Sequence, residues 1–231
     1  MPSVPIPSRP DLVVCDLAGT TVHDRGEVPA AFEAALHEAG LAFDPAEVGA
    51  WRGASKREVV GRLVARQDPG NGDRAERVYA RFRALLLERL AGAAPLSLPG
   101  VHETLAGFKA DGLGVAVTTG FDREVVEAIL AGVSWGGLLD AWVCGDDVPR
   151  GRPAPFMIFR AMERCGAEDV RRVAVVGDTR LDLEAAWNAG AGWRIGVLTG
   201  AHDRATLATA PHTHLCEAVT AVPTLWRQVT V

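Results

Sequence analysis

Four short stretches of the chain place acidic, hydroxyl or cationic side chains at the ends of predicted strands or in tight loops. The first is the apolar run Leu12–Cys15, which ends at Asp16 and is soon followed by Gly19. Strands covered on both faces lose polar alternation, so this run predicts an internal strand of a parallel sheet. Open α/β sheets bind ligands at the carboxyl ends of their strands. A lone aspartate there is usually a turn cap, so the other stretches decide how Asp16 is interpreted.

The other stretches contribute hydroxyls, one cation and two further acids. They are Val115–Gly120 with Thr118, Thr119 and Gly120 at its end, the loop Gly151-Arg152-Pro153, and Val173–Gly177 followed by Asp178 and Asp182. Hydroxyls and amides at strand ends can donate to phosphate oxygens, and a fixed guanidinium can counter charge on a transferring group. Carboxylates and the carbonyl of Ala18 are hard oxygen ligands of the kind that Mg²⁺ takes. Two acids at a helix start are also explained by the helix dipole alone.

In this order and spacing the four stretches resemble the motifs of the haloacid dehalogenase superfamily, over nearly the whole chain. The resemblance implies that Asp16 is a nucleophile. It implies that the residues around Thr118 and Arg152 hold phosphate. It also implies a Mg²⁺ cofactor held by Asp16, Ala18, Asp178 and Asp182.

Strand–helix alternation predicts an α/β fold with a doubly wound, mainly parallel sheet. Between Pro29 and Leu90 the patterns are helical only, which predicts a small α-helical cap inserted into the core. We therefore expect a core of residues 11–24 and 95–231 and a cap of residues 25–94. Ser55 is expected to cap a helix that begins at Lys56, and Asp122 to cap another.

The residue two positions after the nucleophile is usually a proton-donating aspartate in phosphatases of this superfamily, but here it is Ala18. A methyl group donates no proton. The stretch from Asp16 to Thr21 resembles that of phosphonoacetaldehyde hydrolases, in which a cap lysine forms an imine with the substrate aldehyde. Lys56 falls at that lysine's position. By itself, a lysine at a helix start is more often a solvated surface cation.

Three neighbours depart from the phosphonoacetaldehyde hydrolase pattern: Val59 replaces a histidine, Arg52 a methionine and Phe121 a tyrosine. These changes remove proton-transfer partners, and Arg52 could instead receive a second anionic group of the substrate. The chain resembles more closely the phosphonatase-like hydrolases that share Ala-Gly-Thr-Thr and Gly-Arg-Pro-Ala-Pro.

The amino-acid composition bears on which molecules the protein binds and on where in the cell it works. The 231 residues are 48% hydrophobic and carry a net charge of −5 without a basic run, which argues against nucleic-acid binding. No apolar run reaches membrane-spanning length, and the four cysteines favour buried thiols in a reducing compartment. With Met1–Pro10 read as a loose tail and not a signal peptide, we predict a cytoplasmic protein. The resemblance suggests a homodimer.

Together these observations predict a Mg²⁺-dependent hydrolase that transfers phosphoryl to Asp16 from a small phosphonate or related organophosphorus compound. One alternative is a phosphate monoester phosphatase of the same superfamily. An alternative from another class is a binding protein of low turnover for a phosphorylated metabolite.

Overall fold

The computed structural model describes residues 9–91 and 96–227. The predicted tail at Met1–Pro10 therefore lies outside the described residues except for its last two. Six strands form one sheet: β1 (Leu12–Asp16), β2 (Gly114–Thr118), β3 (Ala141–Val143), β4 (Val173–Gly177), β5 (Trp193–Val197) and β6 (His214–Cys216). Their order is β3-β2-β1-β4-β5-β6, and every pairing is parallel. The predicted α/β architecture is confirmed.

Helices cover both faces of this sheet and form a separate layer over one end. They are α1 (Glu27–Glu38), α2 (Pro45–Ala50), α3 (Lys56–Gln67), α4 (Gly72–Ala91), α5 (Val101–Ala110), α6 (Arg123–Ala131), α7 (Phe156–Cys165), α8 (Arg180–Ala189), α9 (Arg204–Leu207) and α10 (Pro223–Arg227). Within the first of them, Pro29 is the third residue, where a missing N–H costs nothing because the first-turn amides lack intrahelical partners.

The inserted helices α1–α4 lie between β1 and β2 in the chain and form the cap. Their apolar faces meet one another, and the rings of Phe32 and Phe82 pack edge to face at 5.5 Å between centroids. Ser55 caps α3 as predicted, because its hydroxyl accepts from the amide of Glu58. One buried apolar cluster continues from the cap into the core around β1 and β2, so the two parts share packing.

Asp122 does not act as the sequence predicts. It precedes α6, but its carboxylate makes no capping bond. Instead it is buried and receives Arg57 at 3.2 Å and Arg83 at 3.5 Å, both from cap helices. Burial raises the pKa of Tyr79 in α4, and the charge of Asp122 adds to that shift. Two guanidinium groups compensate the burial of this carboxylate better than one backbone amide would, which explains why it pairs with the cap helices.

All four cysteines are free thiols, in keeping with the prediction. In the described parts of the chain, no helix is both long and apolar enough to cross a bilayer.

Candidate active site

The sheet brings the predicted acidic and hydroxyl residues to one edge. Asp16 ends β1 and is in register with Thr118, which ends β2. On the other side of β1, Cys15 pairs with Val176, so Asp178 lies just beyond the level of Asp16. Because β1 is central, its carboxyl end is flanked by strand ends on both sides.

Arg152 joins these strand ends through a buried ionic network. Its Nη1 lies 2.6 Å from Oδ1 of Asp16 and 2.9 Å from Oδ1 of Asp182. Its Nη2 donates to Oγ1 of Thr118 at 2.8 Å and to that residue's carbonyl oxygen at 3.0 Å. All three charged side chains are almost completely buried. The guanidinium therefore holds three separate parts of the chain in one arrangement.

Asp182 is fixed a second time by the first turn of α8. Its Oδ2 accepts from the amide of Thr179 at 3.0 Å and from that residue's hydroxyl at 2.5 Å. This is a capping box, which satisfies amides that the helix leaves without partners. Both carboxylate oxygens of Asp182 thus have protein partners, so its predicted role as a Mg²⁺ ligand competes with these bonds.

Asp178 is enclosed by backbone at close range. Its Oδ1 accepts from the hydroxyl of Thr20 at 3.1 Å, and its Oδ2 accepts from the amide of Ala201 at 2.6 Å. A Cβ on Gly200 would come within 2.0 Å of Oδ2, so the loop after β5 approaches the carboxylate closely only because this residue is glycine. The neighbouring loop therefore shapes the site as much as the strand does.

The carboxyl groups outnumber the cation that neutralises them. Burial raises the pKa of Asp178 to about 7, and the charge of Asp182 adds to the shift. Burial also raises the pKa of Asp16 well above its usual range, although Arg152 opposes this. Three buried acids with one buried guanidinium favour a further cation, and the oxygen donors suit Mg²⁺. Among the described residues, no three acidic, histidine or cysteine side chains surround a metal position by themselves, so backbone and water oxygens would complete such a site.

The predicted phosphate-binding stretch needs one correction. The amide of Thr119 cannot donate to phosphate, because it donates to the carbonyl of Val143 at 3.0 Å and continues the pairing of β2 with β3. Thr119 and Gly120 do line the cavity at the strand ends, whereas Thr118 lies behind them against Arg152. The side chain of Thr119 and the amide of Gly120 are therefore the better candidates for phosphate contacts.

The cap covers these strand ends through the loop of residues 51–55. Gly53 has φ +81°, and a Cβ there would lie 2.4 Å from Oγ1 of Thr179. The carbonyl of Ala54 lies against Gly120, and Glu58 accepts from the amide of Gly151 at 2.6 Å. The loop and the core enclose a cavity of about 230 Å³, which suits a small substrate.

Lys56 lines this cavity together with Asp16 and Ala18. Its Nζ donates to the carbonyls of Trp51 at 3.2 Å and Ala54 at 3.4 Å and lies 5.7 Å from the ring centre of Phe32. Burial lowers the pKa of Lys56 to about 8; Asp24 opposes this and Arg52 adds to it. In the described ranges no carboxylate lies within 4.0 Å of the amine. The amine therefore loses its proton at a lower pH than an exposed lysine does, which makes it a better nucleophile.

The numbers of lysines and arginines give evidence about Lys56 that the sequence motifs do not. Of the 24 basic residues, only Lys56 and Lys109 are lysines, which leaves 22 arginines. Lys109 pairs with Asp140 far from the site, at 2.6 Å. Nearly all basic residues of this chain are arginines, yet one of the basic residues that line the cavity with Asp16 and Ala18 is Lys56. This is evidence that Lys56 is more than a solvated surface cation.

The departures from the family pattern have different surroundings. Val59 is fully buried in apolar packing and Phe121 lines the cavity, so neither supplies a titratable group. Arg52 lines the cavity with an exposed side chain. Asp24 and Glu33 also line the cavity and were not identified from the sequence, because neither lies in a recognisable motif.

The α/β sheet carries a buried carboxylate–guanidinium network under a helical cap, and comparison with known families identifies the class of protein. A family model for haloacid dehalogenase-like hydrolases matches residues 10–190. The chain belongs to the haloacid dehalogenase-like hydrolases.

The proteins that this chain resembles include phosphonoacetaldehyde hydrolases and a probable phosphatase. Phosphonoacetaldehyde hydrolase from Bacillus cereus is 31% identical over 208 residues, which are 84% of this chain and 77% of the relative. A probable phosphatase, IndB from Dickeya dadantii (strain 3937), is 33% identical over 86% of each chain. The crystal structure of a phosphonoacetaldehyde hydrolase-like protein from Oleispira antarctica superposes with a TM-score of 0.81 at 23% identity, covering 95% of this chain and 92% of that one, which shows the same fold.

Replacing Arg152 with Met should destabilise the protein, because it leaves buried carboxylates without their cation. Breaking such an arrangement costs about 3 kcal/mol of unfolding free energy. Asp16 can escape the penalty by protonation, which its raised pKa favours, so the loss should grow as pH rises from 5 to 8. Urea unfolding measures it, with Arg160→Met, at an exposed Arg–Glu pair, as the control. Equal stability of the two variants at pH 8 would contradict the network.

Replacing Gly53 with Ala should displace the cap loop, since the added Cβ meets Thr179 and the backbone has positive φ. We expect at least a tenfold loss of kcat/KM, because small displacements of a catalytic group cost about that much or more. Gly61→Ala, in α3 with open space at its Cβ, is the control and should leave turnover unchanged. Unchanged turnover in Gly53→Ala would show that the observed loop contact is not needed.

Proposed function

We propose that this enzyme hydrolyses the carbon–phosphorus bond of a small phosphonate, or the corresponding bond of a related organophosphorus compound, through a phosphorylated Asp16. The observation that carries the proposal is that Asp16, Ala18 and Lys56 line one cavity. The cavity therefore combines a nucleophilic carboxylate, a methyl group where phosphatases place their acid, and an amine of lowered pKa.

Asp16 attacks phosphorus, and Arg152 opposes protonation of its carboxylate and holds it at the cavity wall. Asp16, Asp178 and the carbonyl of Ala18 would hold Mg²⁺, which when bound reduces the negative charge that repels the nucleophile. Thr119 and Gly120 bind the phosphoryl oxygens. The acid excess at the strand ends supports this assignment.

A carbanion is a poor leaving group, and Lys56 can provide a better one by forming an iminium ion with the substrate. Its neutral amine adds to a carbonyl next to the carbon that bears phosphorus, and the adduct takes up a proton from solvent and loses water to give an iminium ion. As the Asp16 oxygen bonds to phosphorus, the electrons of the breaking carbon–phosphorus bond enter the iminium and give an enamine. Protonation at carbon and hydrolysis release the carbonyl product and Lys56, and a second water releases phosphate from Asp16.

Phosphate monoester hydrolysis is the second candidate, since the relative from Dickeya dadantii is named a phosphatase. An alkoxide leaving group needs a proton, and Ala18 cannot supply it. Under this alternative the proton comes from the substrate or water, and Lys56 forms no imine.

Phosphorus NMR with Mg²⁺ and a panel of phosphonates and phosphate monoesters distinguishes these functions. We expect inorganic phosphate from phosphonates that carry a neighbouring carbonyl, and no phosphate when Asp16 is replaced by Asn. Release from esters alone would favour the phosphatase, and release from no compound would favour a binding protein.

Borohydride reduction in the presence of phosphonoacetaldehyde should trap an adduct on Lys56. The yield should rise with pH and level off above about 8, because only the neutral amine adds to a carbonyl. Peptide mass spectrometry locates the adduct, and Lys109→Arg is the matched control. A Lys56→Arg variant that still forms the adduct, or releases phosphate from phosphonates at the parental rate, would contradict the imine.

A further inference from the structure

Arg52 is held beside the reactive amine by the cap loop. It follows the end of α2, and its amide donates to the carbonyl of Gly49 at 3.3 Å. On one side Trp51 accepts from Nζ of Lys56, and on the other Gly53 packs against Thr179. Arg52 and the Lys56 amine are therefore carried by the same short loop, and both line the cavity.

The guanidinium of Arg52 makes no ion pair within residues 9–91 and 96–227. No carboxylate of these ranges lies within 4.0 Å of it, whereas Arg152 and Arg57 each contact two carboxylates. Asp24, the acid that acts on Lys56, accepts from the amide of Gly26 at 3.0 Å. The charge of Arg52 is thus available to a ligand.

The charge of Arg52 acts on the reactive amine. Burial lowers the pKa of Lys56, and the positive charge of Arg52 adds to that shift. Arg52 therefore provides positive potential on the side of the cavity where a group attached to the Lys56-bound carbon would lie.

We propose that Arg52 binds a second anionic group of the substrate, and that the substrate is a 3-phosphono-2-oxo acid with a carboxylate on its carbonyl carbon. This rests on the function proposed above. The phosphoryl group lies at Thr119 and Gly120, the ketone carbon bonds to Lys56, and the carboxylate pairs with Arg52. A planar guanidinium suits a carboxylate because it can donate two parallel hydrogen bonds.

The reaction balances with water as the only other reactant. The carbon–phosphorus bond breaks and its electrons remain on carbon, which gains a proton and becomes a methyl group. The products are a 2-oxo acid with a methyl ketone and inorganic phosphate. The carboxylate takes no part in bond breaking, so its pairing with Arg52 affects which substrate is bound.

Three probes test the proposal: 3-phosphonopyruvate, 2-oxopropylphosphonate, which replaces the carboxylate with methyl, and phosphonoacetaldehyde. The parent enzyme should favour 3-phosphonopyruvate over 2-oxopropylphosphonate by at least about tenfold in kcat/KM, as expected for a charge-assisted bond. Arg52→Met should remove this preference, because it should lower kcat/KM for 3-phosphonopyruvate by about tenfold more than kcat/KM for 2-oxopropylphosphonate. Arg77→Met, an exposed cap arginine outside the cavity, should retain the preference.

Equal kcat/KM for the two ketones, or a preference that survives in Arg52→Met, would overturn the role of Arg52 while leaving the proposed function intact. Release of phosphate from none of the probes would instead defeat the proposed function. Titration calorimetry on the folded Asp16→Asn protein measures binding of the two ketones without turnover and so tests the role of Arg52 separately. Tighter binding of 3-phosphonopyruvate than of 2-oxopropylphosphonate, lost with Arg52→Met, supports the subsite, and equal binding overturns it.

Discussion

The site depends on one buried guanidinium that holds two carboxylates and a strand-end hydroxyl. Arg152 contacts Asp16 and Asp182 within 3 Å and also bonds to Thr118. Such a group is costly to desolvate and is retained only with complete pairing. Complete pairing fixes β1, β2 and α8 relative to one another. The same network leaves Asp16 at the cavity wall with acids in excess, and this excess underlies the proposed cation.

The cap lies over this network because backbone segments of the cap and of the core pack closely against each other. Glycines at positions 53, 120 and 151 lie where side chains would meet the opposite part of the molecule. Asp122 pairs with two cap arginines and does not cap its own helix, so these pairs join the segment after β2 to the cap. Consequently the cap residues Lys56 and Arg52 are positioned by the core that carries Asp16, and they line the cavity with it.

Local sequence was sufficient for the fold and for the strand ends. The apolar runs before Asp16 and Asp178 identify buried strands, and Ser55 at a helix start is recognisable from type and position alone. Bonds between distant segments could not be anticipated. The amide of Thr119 is used by β3, Asp122 is used by α3 and α4, and Asp178 is enclosed by Ala201 from 23 residues away. The residues that flank Thr119, Asp122 and Asp178 in the sequence do not indicate these distant partners.

Detection of a phosphoryl group on Asp16 tests the account most directly. Enzyme mixed with Mg²⁺ and excess substrate would be quenched in acid within the first turnovers and digested for peptide mass spectrometry. The account predicts phosphorylation of the peptide that contains Asp16, and none in Asp16→Asn. Phosphate release without any phosphorylated peptide, or with the phosphoryl group on another residue, would contradict it.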